Sequence, residues 1–308
     1  MRAAFVENFQ DAISDFTFAS LSVPLTRETA RALLDCRDED IDANIHLRAL
    51  AASLDELAAK LGRPRFFVRL SSRSPKDAPL ALPSFKDLLD QCRARMAREH
   101  GESENTRLHA LQVAATLAMA CKSGRDAVQL LLNSKRIRDD LERFSCGELG
   151  DFRVWAREFR FMPIEFELRA FVFERRLTAI SQYNEYLFFP HLVAHQDAVR
   201  AKASQFVADV ISSLPLDNCV LDLALVRDGD CEDDLFMDMT RADAASIDKF
   251  RVVIVELNPF AEFMGGGCFR HTDMPLLMGR ASDVTWPVFR LVESAAQAAT
   301  DVSSDWKE

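Results

Sequence analysis

The chain has 308 residues, 48% of them hydrophobic and 28% charged, with a formal net charge of −10. That is enough apolar side chain for a sizeable core in two lobes, which sets disorder aside, and no apolar run approaches the roughly 20 residues needed to span a bilayer. The acidic balance excludes recognition of duplex nucleic acid by a broad basic face.

Helices dominate the first half. Leu47, Leu50, Leu54, Leu57 and Leu61 recur at three- and four-residue steps and predict a helix over 46–61, stopped by Gly62. Phe66-Phe67-Val68-Arg69-Leu70 reads as a short buried strand that opens onto the basic, hydroxyl-rich loop 71–78. Ser84 caps a predicted helix to about residue 98, a second follows over 108–120, and an amphipathic segment over 126–144 carries Val128, Leu131, Leu132, Ile137 and Leu141. Near Gly150 the texture changes to strands, predicted at 152–161, 167–173 and 177–183, the last two joined by a tight turn at Glu174-Arg175-Arg176. A helix over 196–214 and strands over 219–226 and 251–257 complete an α+β pattern, an antiparallel-looking sheet with a covering helix. Cys36, Cys92, Cys121, Cys146, Cys219, Cys231 and Cys268 are scattered without close pairs, an odd count that reads as reduced thiols. With acids soon after Met1, the reading is a soluble cytoplasmic protein.

The last of these strands is chemically the most informative. Val252-Val253-Ile254-Val255 runs straight into Glu256 and Asn258. Regular alternation predicts Ile254, Glu256 and Asn258 on one face, about 6 to 7 Å apart. A hard cation pairs one or two protein oxygens with the phosphates of its substrate, so the charge of Glu256 and the neutral oxygen of Asn258 suit a phosphate-bound Mg²⁺. The plain alternative is a solvated edge running into the Pro259 turn. Other constellations have plain readings too. His191, His195 and His271 form no zinc motif, and the serine-rich loop lacks the phosphate-loop pattern. The carboxylates Asp228, Asp230, Glu232, Asp233, Asp234 and Asp238 lack an EF-hand arrangement and read as a solvated loop. The phenylalanines between 159 and 189 read as sheet packing, with an exposed partner surface of Tyr183, Tyr186, Phe188 and Phe189 as the alternative.

These segments carry a resemblance. Phe67-Val68-Arg69-Leu70, Ser74-Pro75-Lys76-Asp77-Ala78, residues 126–134, Glu167-Leu168-Arg169-Ala170-Phe171-Val172, residues 177–182, Asp222, Glu256-Leu257-Asn258-Pro259-Phe260 and residues 272–277 occur in an order and strand context that resembles the cell division cycle protein 123 (D123) family. The resemblance implies an ATP-grasp-like α+β fold of two lobes with mainly antiparallel sheets and a nucleotide cleft. Residues 1–150 would form a helical N-terminal region and the first lobe, and 151–308 the second lobe with the Mg²⁺-binding strands. It assigns ATP to Arg69, Ser74, Lys76, Ala156, Arg157, Glu158, Glu167 and Arg169, with the adenine met through backbone groups at Ala156, Arg157 and Glu158. Mg²⁺ goes to Asp222, Glu256 and Asn258, and no catalytic residue is implied. The function implied is an assembly factor for the translation initiation factor 2 complex that binds its gamma subunit. An ATP-grasp ligase working through an acylphosphate is the alternative, and a nucleotide-free relic of the fold is a third reading.

The chain departs from the family pattern at several of these positions. Arg69 stands where the family usually has Lys, exchanging a compact ammonium for a planar fork, and Ser71-Ser72 replaces an Asn-Trp pair. Ala156-Arg157-Glu158 replaces Arg-Lys-Trp, and Glu256 replaces Asp, which moves the motif toward the Glu-x-Asn pair of catalytic ATP-grasp ligases. Ala261 stands where Gly is usual, and Gly265-Gly266-Gly267 follows as a loop or a lid, the loop being favoured.

Overall fold

The computed structural model describes residues 5–160, 162–227, 247–261 and 265–298. The chain divides into two compact units. One consists of Met1–Asn8, Phe18–Arg95 and Ala110–Phe159, the other of Phe9–Thr17, Met96–His109 and Arg160–Glu308.

In the first unit β1 (Ser20–Pro24), β2 (Phe66–Leu70) and β3 (Arg153–Glu158) form an antiparallel sheet with β3 in the middle. The strand predicted at 152–161 is β3, and its partners are these earlier strands, not the ones that follow it. Helix α1 (Arg27–Asp35) is followed by α2 (Ile45–Leu61), which begins under the side-chain cap of Asn44 and ends at Gly62 in the left-handed conformation, as its leucine spacing predicts. Helices α3 (Phe85–His100) and α4 (Glu104–Ala118) each run across the division of the chain. The amphipathic stretch predicted over 126–144 is two helices, α5 (Gly124–Leu132) and α6 (Lys135–Ser145). Ser134 causes the break, its hydroxyl accepting the Ile137 N–H at 3.1 Å to start α6 afresh. Leu47, Leu50, Leu54 and Leu57 of α2, Val128 and Leu131 of α5, and Ile137 and Leu141 of α6 share one core with Phe66, Val68, Leu70, Val154 and Ala156.

In the second unit β4 (Glu167–Phe173), β5 (Arg176–Gln182), β6 (Cys219–Arg227), β7 (Phe250–Pro259) and β8 (Val288–Arg290) form a sheet in the order β7-β6-β4-β5-β8. All pairs are antiparallel except β5 with β8. Glu174 and Arg175, both at positive φ, make the two-residue turn between β4 and β5. Helices α7 (Pro190–Ala194) and α8 (Gln196–Val210) follow β5, and the short α9 (Met274–Leu277) precedes β8. One face of the sheet is the core. Leu168, Ala170, Ile180, Leu221, Leu223 and Leu225 are fully buried, as are Val199, Ala203 and Val207 of α8, which packs on β5 and β7. Each such leucine contributes about 1.5–3 kcal/mol on burial.

Phe166, Phe171 and Phe189 are buried, while Tyr183, Tyr186 and Phe188 are half-buried, so these aromatics form no exposed surface. The six described cysteines are free thiols. Among the described residues no helix is long and apolar enough to cross a membrane. The acidic segment read as a solvated loop, Asp228 to Asp238, lies outside the described residues.

Candidate functional site

The β6–β7 pair decides where the polar end of β7 points. Leu223 stands opposite Ile254, but its neighbour Asp222 stands opposite Glu256, so Val255 is an extra residue, a β-bulge. Consecutive residues of β6 point to opposite faces, so Ile254 and Glu256 do as well. The expectation that Ile254 shares a face with Glu256 and Asn258 is therefore corrected. The bulge lets Ile254 and Leu257 both stay fully buried on the core face, while Glu256 and Asn258 turn to the other. Bulges re-aim side chains in this way beside functional sites.

On that second face the register lines up one residue from each of the five strands: Glu256, Asp222, Arg169, Ser181 and Arg290. Neighbouring strands lie roughly 4.8 Å apart, so successive members of the row are within side-chain reach. The next row is Asn258, Val220, Phe171, Ala179 and Val288. Its apolar members are covered by Phe269 and Leu277, and the Phe269 ring meets that of Phe171 edge-on at 5.7 Å. Glu167 lies in the row on the opposite side, against Ala224.

Arg169 is the centre of the charged row. Its Nε donates to Asp222 Oδ1 at 2.7 Å and its Nη2 to Asp222 Oδ2 at 2.9 Å, a two-pronged pair with the carboxylate 4% exposed. Nη1 donates to the Gly265 carbonyl at 2.9 Å, and the guanidinium carbon lies 5.0 Å from the Tyr183 ring centre. Burial opposes the guanidinium's charge, but Asp222, Tyr183 and Glu256 more than offset it and hold its pKa above the ordinary arginine value. At the far end Arg290 grips Asp273 at 2.6 and 3.1 Å and lies over the Phe269 ring. Burial raises the Asp273 pKa, but hydrogen bonds from Arg290 and the Arg270 backbone prevail and leave it lowered. The glycine run is seated on this row. A side chain at Gly265 would meet Arg169 Nη1 at 2.7 Å, and one at Gly267, whose φ is +58°, would meet Ser181 Oγ at 2.4 Å. Cys268 N–H donates to that hydroxyl at 2.8 Å. Gly265 and Gly267 thus belong to a packed loop.

The candidates of the first unit lie on its three-stranded sheet. Arg69, opposite Trp155, and Arg157, opposite Phe67 and Ser20, share the face away from the core. Arg69 is 3% exposed and donates to the carbonyls of Leu70 at 3.2 Å and Ser72 at 3.4 Å. Arg157 donates to Ser20 Oγ at 3.1 Å and lies over the Phe18 ring. Ala156 points into the core on the other face, as does Glu158, which pairs with Arg63 at 2.9 Å. Because β3 is the central strand, Ala156 and Arg157 are paired on both sides, and Glu158 N–H donates to the Ala19 carbonyl at 2.8 Å. Backbone contacts to a base from within this paired stretch therefore compete with the ladder.

Ser74 is buried and Lys76 exposed in a loop tied to α6. Ser72 Oγ and Arg73 both reach Asp140, and the Asp77 carboxylate takes Ser134 Oγ at 2.5 Å and Arg136 N–H at 3.2 Å. Trp155, 7% exposed on the same face as Arg69, has an indole N–H without a partner among the described residues.

Sequence reasoning missed Ser181, Arg290 and Trp155, of which only Ser181 fell within a quoted motif, and it named Gly265 only as part of a glycine loop. Among the described residues no three or more His, Cys, Asp and Glu groups come together to hold a metal by themselves. The donors present, two carboxylates and an amide on one face, fit a hard cation that completes its shell with phosphate oxygens.

A model of the family described as D123 matches residues 109–307 of the chain. Among solved structures the chain is similar to Cdc123 from Schizosaccharomyces pombe, with 16% identity, a TM-score of 0.63, and 95% of this chain and 96% of that one covered. The C-terminally truncated form of the same protein matches with 15% identity, a TM-score of 0.62 and coverage of 94% and 96%. No curated protein matches the sequence. The fold is thus the mixed α and β, ATP-grasp-like architecture of Cdc123.

Proposed function

This chain belongs to the D123 family, and on that premise we propose that it is an ATP- and Mg²⁺-binding assembly factor. The observation that carries this reading is the row on the second unit's sheet, where the bulge at Val255 turns Glu256 and Asn258 to the side of Asp222 and Arg169. Asp222, Glu256 and Asn258 would hold Mg²⁺, which when bound neutralises charge on phosphate oxygens. Arg169 supplies a cationic fork suited to phosphate, and Glu167 flanks it on the same strand. Arg69, Ser74, Lys76, Ala156, Arg157 and Glu158 keep the nucleotide-contacting role that the resemblance gives them, Ala156 and Glu158 only through backbone groups that would exchange ladder hydrogen bonds for the base.

The partner in this reading is the gamma subunit of translation initiation factor 2, and the setting the cytoplasm. Calorimetric titration with Mg²⁺-ATP tests the site. Glu256→Ala and Asn258→Ala should each lower affinity roughly tenfold or more, the scale of damage at metal sites, with the thermal transition retained. Binding by both variants equal to the parent's would remove the metal assignment.

One observation favours a second reading. Glu256 with Asn258 forms the Glu-x-Asn pair of ATP-grasp ligases, in which an acceptor carboxylate takes the γ-phosphoryl group and a nucleophile then displaces phosphate. A ligase releases ADP and phosphate only when its acceptor is present. An assembly factor binds the gamma subunit with little ATP consumed.

A further inference from the structure

We infer that Arg169 is the built-in competitor of the divalent cation at Asp222, so that loading of the site requires cation and nucleotide phosphate to arrive together. This rests on the reading of the site as an ATP and Mg²⁺ site and adds to it a rule for how it fills.

The argument starts from the fork. Nε and Nη2 of Arg169 take one oxygen each of the Asp222 carboxylate, at 2.7 and 2.9 Å. A carboxylate gripped through both oxygens by a planar guanidinium offers a metal only its outward lone pairs, beside a fixed positive charge. Neither partner can leave alone without penalty. Asp222, 4% exposed, would be a buried anion without its cation, and Arg169 would be a largely buried cation without its anion. An incoming divalent ion replaces what Asp222 loses, and an incoming phosphate replaces what Arg169 loses. The guanidinium also has contacts independent of Asp222, the Gly265 carbonyl at 2.9 Å and the Tyr183 ring at 5.0 Å. These keep it beside the row when its fork is released. Coupling of this kind is reciprocal, so each ligand raises the affinity for the other.

The test is Mn²⁺ binding without nucleotide, followed by paramagnetic resonance. Arg169→Gln removes the competing charge, and its affinity for Mn²⁺ alone should rise roughly tenfold or more over the parent's, while its affinity for ATP falls. Arg169→Lys, which keeps the charge but loses the fork, should lie between. Equal or weaker Mn²⁺ binding by the glutamine variant overturns the inference. Should that variant fail to fold, the parent alone decides through the NMR signal of its Arg169 Nε–H, assigned with the lysine variant. The signal should hold its position with Mg²⁺ alone or with a non-hydrolysable ATP analogue alone, and move when both are present. A position unchanged by both together overturns the inference although nucleotide binds. Absence of binding by the parent when Mn²⁺ and ATP are supplied together brings down the underlying functional reading, and the inference with it.

Discussion

The two sheets each present a polar face built on arginines, and they hold those arginines differently. On the second unit's sheet Arg169 is matched to Asp222, and Arg290 to Asp273, carboxylate against guanidinium. On the first unit's sheet Arg153 is held by neutral acceptors, the hydroxyl of Ser22 at 2.7 Å and its carbonyl at 3.3 Å, and Arg69 and Arg157 also reach neutral oxygens, Arg69 the carbonyls of Leu70 and Ser72 and Arg157 the hydroxyl of Ser20. A neutral acceptor fixes a guanidinium without cancelling its field, whereas a carboxylate cancels most of it. Arg153 on the first face is therefore suited to anions as it stands. The second can serve cations and anions both, but only by exchanging partners.

The largest expected effect breaks that contrast at its strongest point. Asp222→Ala leaves Arg169 largely buried without its anion and should cost about 3–5 kcal/mol in urea-monitored unfolding. Arg153→Met on the first unit's sheet removes hydrogen bonds to the hydroxyl and the carbonyl of Ser22, and should cost about 1–2 kcal/mol. Equal losses for the two variants would mean that the faces are held by the same kind of force, and the contrast would fail.

How much of this was legible in the sequence follows from the range over which each feature is determined. Helix α2 and strands β2, β4, β6 and β7 are encoded by their own residues, in the leucine spacing of 47–57 or the apolar runs of 66–70 and 252–255, and they are found where predicted. The break between α5 and α6 is also local, yet the hydroxyl of Ser134 overrides an apolar period that runs smoothly across it. The bulge at Val255 is different in kind. It exists because Leu223 and Asp222 set the register of β7 from another strand, and nothing within 250–259 reveals it. The row from Glu256 to Arg290 depends likewise on strand order, with Arg169 and Asp222 separated by 53 residues. Its last member comes from β8, three residues paired in parallel and too short for any period to show.

A smaller effect sharpens the contrast through pH. Two groups with large shifts, Glu165 and His109, belong to the second unit. Burial pushes the Glu165 carboxyl up to about 7, so the folded state binds its proton more tightly than the unfolded chain does. Its favourable contribution is present below the unfolded value of 4.5 and is lost as pH rises through 7. Glu165→Gln should therefore raise stability at pH 8 by about 2 kcal/mol and leave it nearly unchanged at pH 4. His109 works in the opposite sense. Burial, and then the charge of His100, hold its imidazole down at about 4, so stability is lost as pH falls from 6.5 toward that value. Identical pH profiles for the Glu165→Gln variant and the parent would refute the assignment.

The smallest effect isolates burial from distance. Arg125 Nη1 reaches Asp42 Oδ2 at 2.7 Å in the first unit, the same length as the Arg169 Nε to Asp222 contact. The exposures differ, at 49% and 79% for the side chains of the first pair against 17% and 6% for the second. Water solvates the separated charges of the exposed pair almost as well as they solvate each other, and ordering two long side chains offsets much of what remains. Arg125→Ala should thus shift the unfolding free energy by less than about 0.5 kcal/mol, and the shift should vanish at high salt. A loss comparable to that of Asp222→Ala would show that separation alone sets the strength of these pairs. The distinction between the two faces would then rest on geometry and not on burial.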